Sequence, residues 1–254
     1  MSKISDVFKN KKAFIAYLMG GDPNLAKTKE YILALAGAGA DIIEIGMPFS
    51  DPIAEGEVIQ AANLRAFASG ATLDGLFGMT VSLKGEVAVP LMFMGYLNPI
   101  FNYGYDRFFA RCAECGVCGV IIADLPFEEQ GEVLEYSDRH GVELITLVAP
   151  TSAERVARVA KNAMGFVYLV SSLGVTGARS EITTDIGALV AEIRRYTDTP
   201  VAVGFGVHSP EQARRIRGQA DGVIVGSAIV EIIREYGENA AGELERYVRE
   251  MTEG

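Results

Sequence analysis

Short runs of branched and apolar residues recur along the whole chain, and nearly every one is followed by a longer amphipathic stretch. The runs cover residues 13–19, 41–46, 89–95, 118–124, 142–148, 165–171, 200–204 and 221–226. They are apolar at both odd and even positions, as parallel strands buried on both faces require. Helical periodicity fills the intervals at 25–38, 73–83, 105–114, 128–139, 153–161, 186–196 and 210–217. Thr72, the pair Thr151 and Ser152, and Ser209 with Pro210 behind it suit helix starts. Gly39, Gly116, Gly141, Gly165 and Gly218 suit helix ends. Eight strand–helix units, with no Pro/Ser-rich linker or charge block between them, predict an α/β fold. The expected form is a (β/α)8 TIM barrel forming a single domain over residues 1–254, with extra helices at 5–9 and 240–251. An open doubly wound sheet is the alternative.

Composition narrows the function classes. With 23 basic and 33 acidic side chains the net charge is −10, so no basic footprint exists for nucleic acid or an anionic membrane. The first residues are polar rather than a charged-then-apolar leader, and no run approaches the roughly 18 apolar residues of a membrane span. A cytoplasmic location is expected. Cys112, Cys115 and Cys118 are spaced like cluster ligands, but a fourth thiolate is missing from the chain. They read as small packing residues. The two histidines, His140 and His208, are far apart in sequence, and His140 precedes Gly141 at an expected helix end. No metal is expected.

The chemistry is sought in the longest connection, residues 47–71, which follows the second strand and falls on the catalytic face of a barrel. Glu44 closes that strand within Asp41-Ile-Ile-Glu-Ile-Gly-Met-Pro-Phe-Ser-Asp-Pro. No Lys or Arg occurs between Lys29 and Arg65, so the neighbouring sequence supplies no counter-ion, and a pairing would have to be distant. Without one, burial raises the carboxyl pKa and makes the group able to give and take a proton near neutrality. Glycines end the later strands, in Gly174-Val-Thr-Gly, Val203-Gly-Phe-Gly and Val225-Gly-Ser. Such turns offer backbone N–H groups to a phosphate. The dinucleotide fingerprint fails, because Ser209 stands where its third glycine belongs.

These motifs resemble those of the tryptophan synthase alpha chain family over nearly the whole chain. The most specific is Glu44-Ile-Gly-Met-Pro-Phe-Ser-Asp-Pro-Ile-Ala-x-Gly. It is supported by Gly20-Gly-Asp-Pro, Ala123-Asp-Leu-Pro, Tyr168-Leu-Val-Ser-Ser-Leu-Gly-Val-Thr-Gly and Val203-Gly-Phe-Gly. The resemblance implies a lyase that splits indole-3-glycerol phosphate into indole and glyceraldehyde 3-phosphate without a cofactor. It further implies a pyridoxal-phosphate-dependent beta chain as partner in an alpha2beta2 complex. Catalytic positions fall on Glu44, Glu55 and Tyr168. Tyr17, Tyr96 and Phe205 fall on the indole pocket, and Thr176, Gly177, Gly206, Gly226 and Ser227 on the substrate- and phosphate-binding turns.

Two departures from the family pattern stand out. Glu55 replaces the usual Asp and Glu57 a following Pro, which predicts a displaced carboxylate and a mobile loop that a beta chain would order. Ser172 stands where some members carry Arg. Two other functions share parts of this pattern: another sugar-phosphate barrel enzyme, and an alpha chain weakened in catalysis that acts mainly on its partner.

Overall fold

The computed structural model describes residues 4–149, 153–170, 185–204 and 206–253. Nine short strands form one parallel sheet: β1 (Ala13–Met19), β2 (Ile42–Gly46), β3 (Leu91–Gly95), β4 (Val117–Ile122), β5 (Glu143–Leu144), β6 (Thr146–Val148), β7 (Val167–Val170), β8 (Val201–Gly204) and β9 (Gly222–Val225). Their order is β5-β4-β3-β2-β1-β9-β8-β7-β6. The two end strands are halves of one expected run, separated only by Ile145, whose N–H donates to the Val120 carbonyl at 2.9 Å. β5 pairs with β4 and β6 with β7, so the sheet returns on itself. The result is a nearly closed TIM-barrel-like α/β fold with eight strand positions, as the periodicity predicts.

Eleven helices are described: α1 (Leu25–Gly37), α2 (Glu57–Ala68), α3 (Leu73–Ser82), α4 (Leu97–Tyr103), α5 (Tyr105–Cys115), α6 (Gly131–His140), α7 (Ala153–Lys161), α8 (Ile186–Arg194), α9 (Pro210–Arg217), α10 (Ser227–Tyr236) and α11 (Ala241–Glu253). The caps explain several of their limits. Thr72 accepts the Gly75 N–H, and Ser209 forms a reciprocal capping box with Gln212 behind Pro210. Gly116 and Gly141 end α5 and α6 in the left-handed conformation. Gly218 ends α9 without it, at φ −67°, and Gly165 lies just ahead of β7 rather than on a helix end. Thr151 and Ser152 lie outside the described residues.

Residues 47–71 are not one continuous loop, because α2 occupies their second half. Its buried stripe is Ile59, Ala62, Asn63 and Ala66, at helical spacing. Two alanines and an asparagine in that stripe leave little apolar contrast, which is why periodicity misses the helix. α4 is also an addition, set apart from α5 by Gly104. The expected N-terminal helix is a 3-10 turn, Ile4–Phe8. It stoppers the bottom of the barrel: Ile4 is fully buried among the interior side chains, and the Phe8 ring lies 5.6 Å from that of Phe166.

Burial falls in two layers. Ile15, Ile42, Met92, Ile121, Phe166 and Ile224 fill the barrel interior, while a larger cluster packs helices against the outer face of the sheet. The three cysteines belong to this packing. Cys115 Sγ lies 3.4 Å from the Phe77 carbonyl and Cys118 Sγ 3.3 Å from that of Leu91. Among the described residues, no group of three His, Cys, Asp or Glu side chains is placed to hold a metal, and no helix is long and apolar enough to cross a membrane.

Candidate active site

Parallel strands bring their C-terminal ends to one rim, where residues distant in sequence become neighbours. Tyr17 on β1 is the register partner of Glu44 on β2, and Gly46 lies beside Met94 of β3. Tyr168 arrives on β7 next to Ala202 of β8. Glycines at strand ends make room for these rings. A Cβ on Gly46 would collide with the Tyr17 hydroxyl, and one on Gly204 would stand 2.7 Å from that of Tyr168.

Tyr17, Glu44, Glu55, Tyr168, Gly206, Gly226 and Ser227 all line one pocket that opens to solvent at the rim. The remaining wall is apolar: Ile59, Met94, Val207 and Ile224. Sequence reading missed these four, whose signal is only that of ordinary core residues. A greasy chamber with two carboxylates, and a helix N-terminus at one end, suits a flat aromatic ring carrying a phosphorylated tail.

Glu44 is fully buried, and among the described residues neither carboxylate oxygen has a hydrogen-bond partner. Burial pushes its pKa up to about 8, so it carries a proton at neutral pH. The distant counter-ion left open by the sequence is not among the described residues. Glu55 is 7% exposed. Burial raises its pKa to about 7, opposed by a hydrogen bond from Asn63. The Tyr17 hydroxyl is held well above its usual range by burial, then by Glu55 and Glu44. Burial and then Glu44 do the same to Tyr168. Both phenols are neutral and apolar-faced.

The segment carrying Glu55 is tied at several points. Asn63 Nδ2 donates to Glu55 Oε2 at 2.5 Å, and Asn63 Oδ1 accepts the Phe49 N–H at 3.0 Å. Gln60 Nε2 donates to the Glu55 carbonyl at 2.8 Å. Ala54 N–H donates to the Tyr96 hydroxyl at 3.1 Å, and the Phe49 and Tyr96 rings lie 5.0 Å apart. Tyr96 therefore stands behind the loop as its anchor and is not in the cavity wall. The expected mobile loop is thus bonded down around Glu55. α2 is in turn held by Arg65, which donates to both oxygens of the buried Asp22 at 2.8 and 2.7 Å. This gives the Gly20-Gly-Asp-Pro motif a structural purpose that sequence reading did not supply.

Gly206, two residues after the end of β8, has φ +80°, a conformation that L side chains resist. Gly226 precedes α10 with no side-chain cap, leaving first-turn N–H groups of Ser227 and its successors free to face an anion. Thr176, Gly177 and Phe205 lie outside the described residues, as does Ser172.

Residues 4–253 match the sequence model of the tryptophan synthase alpha chain family. The tryptophan synthase alpha chain of Lacticaseibacillus casei is 47% identical over 251 residues, spanning 99% of this chain and 94% of its own. A structure of tryptophan synthase from Mycobacterium tuberculosis has a TM-score of 0.90 at 35% identity, covering 98% of this chain and 96% of that one. A structure of the tryptophan synthase α2β2 complex from Pyrococcus furiosus has a TM-score of 0.86 at 34% identity, covering 96% of this chain and 99% of that one. This chain belongs to the tryptophan synthase alpha chain family.

Proposed function

We propose that Glu44 and Glu55 divide the proton work of a retro-aldol cleavage in this cavity. The family's activity makes the chain a carbon–carbon lyase of tryptophan biosynthesis, acting on indole-3-glycerol phosphate. An aromatic carbon is a poor carbanion leaving group, so C3 of the indole must first be protonated. Glu44, buried and protonated, is the acid for that step. Glu55, ionised above a pKa of about 7, accepts the hydrogen bond of the ring N–H and stabilises positive charge developing on the ring. The Glu44 carboxylate then takes the glycerol hydroxyl proton as the carbon–carbon bond breaks. The bond electrons return to the ring, giving indole, and the oxygen becomes the aldehyde of glyceraldehyde 3-phosphate.

Tyr17 and Tyr168 pack the chamber on either side and keep Glu44 dry. Gly206, Gly226 and Ser227 hold the phosphate at the start of α10, where the helix dipole and unbonded N–H groups favour an anion. Thr176, Gly177 and Phe205 are assigned to substrate binding by resemblance alone. The observation that carries the reading is Glu44, buried with no partner among the described residues, in the same cavity as a second carboxylate. Glu44→Ala should leave a folded barrel that releases no indole, and near-native turnover would sink it.

The proposed partner is a beta chain in an alpha2beta2 assembly. Ile53 is 75% exposed on the loop before α2, and Phe101 is 63% exposed on α4. The Ala54–Tyr96 bond joins these two segments at the catalytic rim. Two large apolar side chains in water there suit a docking partner that covers the rim. Ile53→Glu with Phe101→Glu should weaken co-purification with a beta chain while leaving the barrel folded; undiminished association would place the interface elsewhere.

A further inference from the structure

Asn63 touches two parts of the loop at once. From the middle of α2, its Nδ2 reaches the Glu55 carboxylate at 2.5 Å and its Oδ1 takes the Phe49 N–H at 3.0 Å. The side chain is 3% exposed, so neither bond competes with bulk water. The helix under it is tied down by Arg65, two residues on, which bonds both oxygens of Asp22 in the turn after β1. We infer that Asn63 is the positioning residue for Glu55, setting where its carboxylate points and closing the loop between Phe49 and Glu55 around it. The inference rests on Glu55 being the second carboxylate of the lyase.

Side-chain length supports a matched pair. Glu55 carries one methylene more than Asp, and Asn63 one fewer than Gln. The span between the loop backbone and the α2 backbone is thus bridged by a long acid and a short amide. Glu55→Asp alone withdraws the carboxylate by roughly one carbon–carbon bond, which breaks a 2.5 Å hydrogen bond. Glu55→Asp with Asn63→Gln restores the total reach. Glu55→Asp, which supplies the family's usual acid, should therefore weaken the contact with Asn63.

Asn63 also favours the ionised form of Glu55, because it donates to it. Among the described residues, the other titratable groups facing Glu55 are Glu44 from β2, Tyr17 from β1 and Tyr96 after β3, and none of them is a cation. Asn63 is thus the neighbour that offsets the burial of this carboxylate.

The test uses the full chain and its Asn63→Ala, Glu55→Asp and Glu55→Asp/Asn63→Gln variants. Indole release is followed from pH 5 to 9, and the Glu55 carboxylate is titrated by carbon-13 NMR. A misplacement near 1 Å costs on the order of 100-fold in rate. Asn63→Ala should therefore lower kcat by about 10- to 100-fold, with KM changed far less, and should move the Glu55 titration to higher pH. Glu55→Asp should fall comparably, and the double variant should recover about tenfold over Glu55→Asp. An unmoved Glu55 titration in Asn63→Ala overturns the inference, as does a double variant no faster than Glu55→Asp. If Asn63→Ala fails to fold, the paired-length comparison decides. If the unmutated chain releases no indole, the lyase reading fails, while the titration still decides whether Asn63 holds Glu55.

Discussion

Arg65 of α2 grips Asp22, in the turn that follows β1, through two parallel hydrogen bonds, with the Asp22 side chain 1% exposed and that of Arg65 30% exposed. The pair joins the helix under the catalytic loop to the strand that carries Tyr17. Arg65→Ala would leave a buried carboxylate uncompensated. Such breaks cost about 3–5 kcal/mol, and the partial exposure of Arg65 places this one near the lower end. At roughly 2–4 °C per kcal/mol for a chain of this size, Tm should fall by about 10 °C. Arg65→Lys should recover only part of that, since a point charge cannot bond both oxygens in the same plane. Thermal denaturation followed by circular dichroism measures both.

Burial of Glu44 is a stability cost at neutral pH. Its pKa rises from 4.5 to about 8, so the unfolded chain releases this proton first. Stability from this group is fully present below pH 4.5, erodes as pH rises, and levels off above about 8. Glu44→Gln keeps the shape and cannot ionise. It should abolish indole release yet raise Tm over the unmutated chain, by a margin that grows between pH 5 and 8. At about 1.4 kcal/mol per pKa unit the margin reaches several kcal/mol. A pH-independent difference in Tm would refute this account of the buried carboxyl.

The two carboxylates together predict a narrow pH optimum. The proposed cleavage needs Glu55 ionised, so kcat/KM should rise as pH passes about 7. It also needs Glu44 protonated, so the rate should fall as pH passes about 8. The expected profile is a bell centred between these values, whose limbs belong to the pair. A flat profile across this range would show that some other step limits the rate.

Gly226 meets both the expected phosphate and the Tyr17 ring. A Cβ there would stand 3.2 Å from Tyr17 Cδ1, tighter than ordinary contact. Gly226→Asp adds that crowding and a negative charge at the start of α10. KM for indole-3-glycerol phosphate should rise at least about tenfold, as the loss of one anion contact of a few kcal/mol implies, while the barrel persists by circular dichroism. An unchanged KM would place the phosphate elsewhere.

Much of this architecture was legible in the order of residues. Strands and most helices follow from local periodicity, because a buried parallel strand must be apolar on both faces and an outer helix on one. Glu44 was legible for a related reason: a carboxylate among isoleucines, with no basic residue from 30 to 64, has no local means of staying charged. The strand-end glycines announced turns, although not that Gly46 and Gly204 exist to let Tyr17 and Tyr168 lie across the rim. Tertiary structure alone decided the rest. α2 stayed hidden because alanines and an asparagine form its buried stripe, and only the barrel rim gives that stripe something to face. The return of β5 and β6 across Ile145 depends on how the barrel closes. Asp22–Arg65 forms because β1 pairs with β2, and Glu55–Asn63 because α2 turns its side chain back toward the loop that precedes it; neither spacing carries a periodic signal, so only the folded backbone brings these side chains within reach.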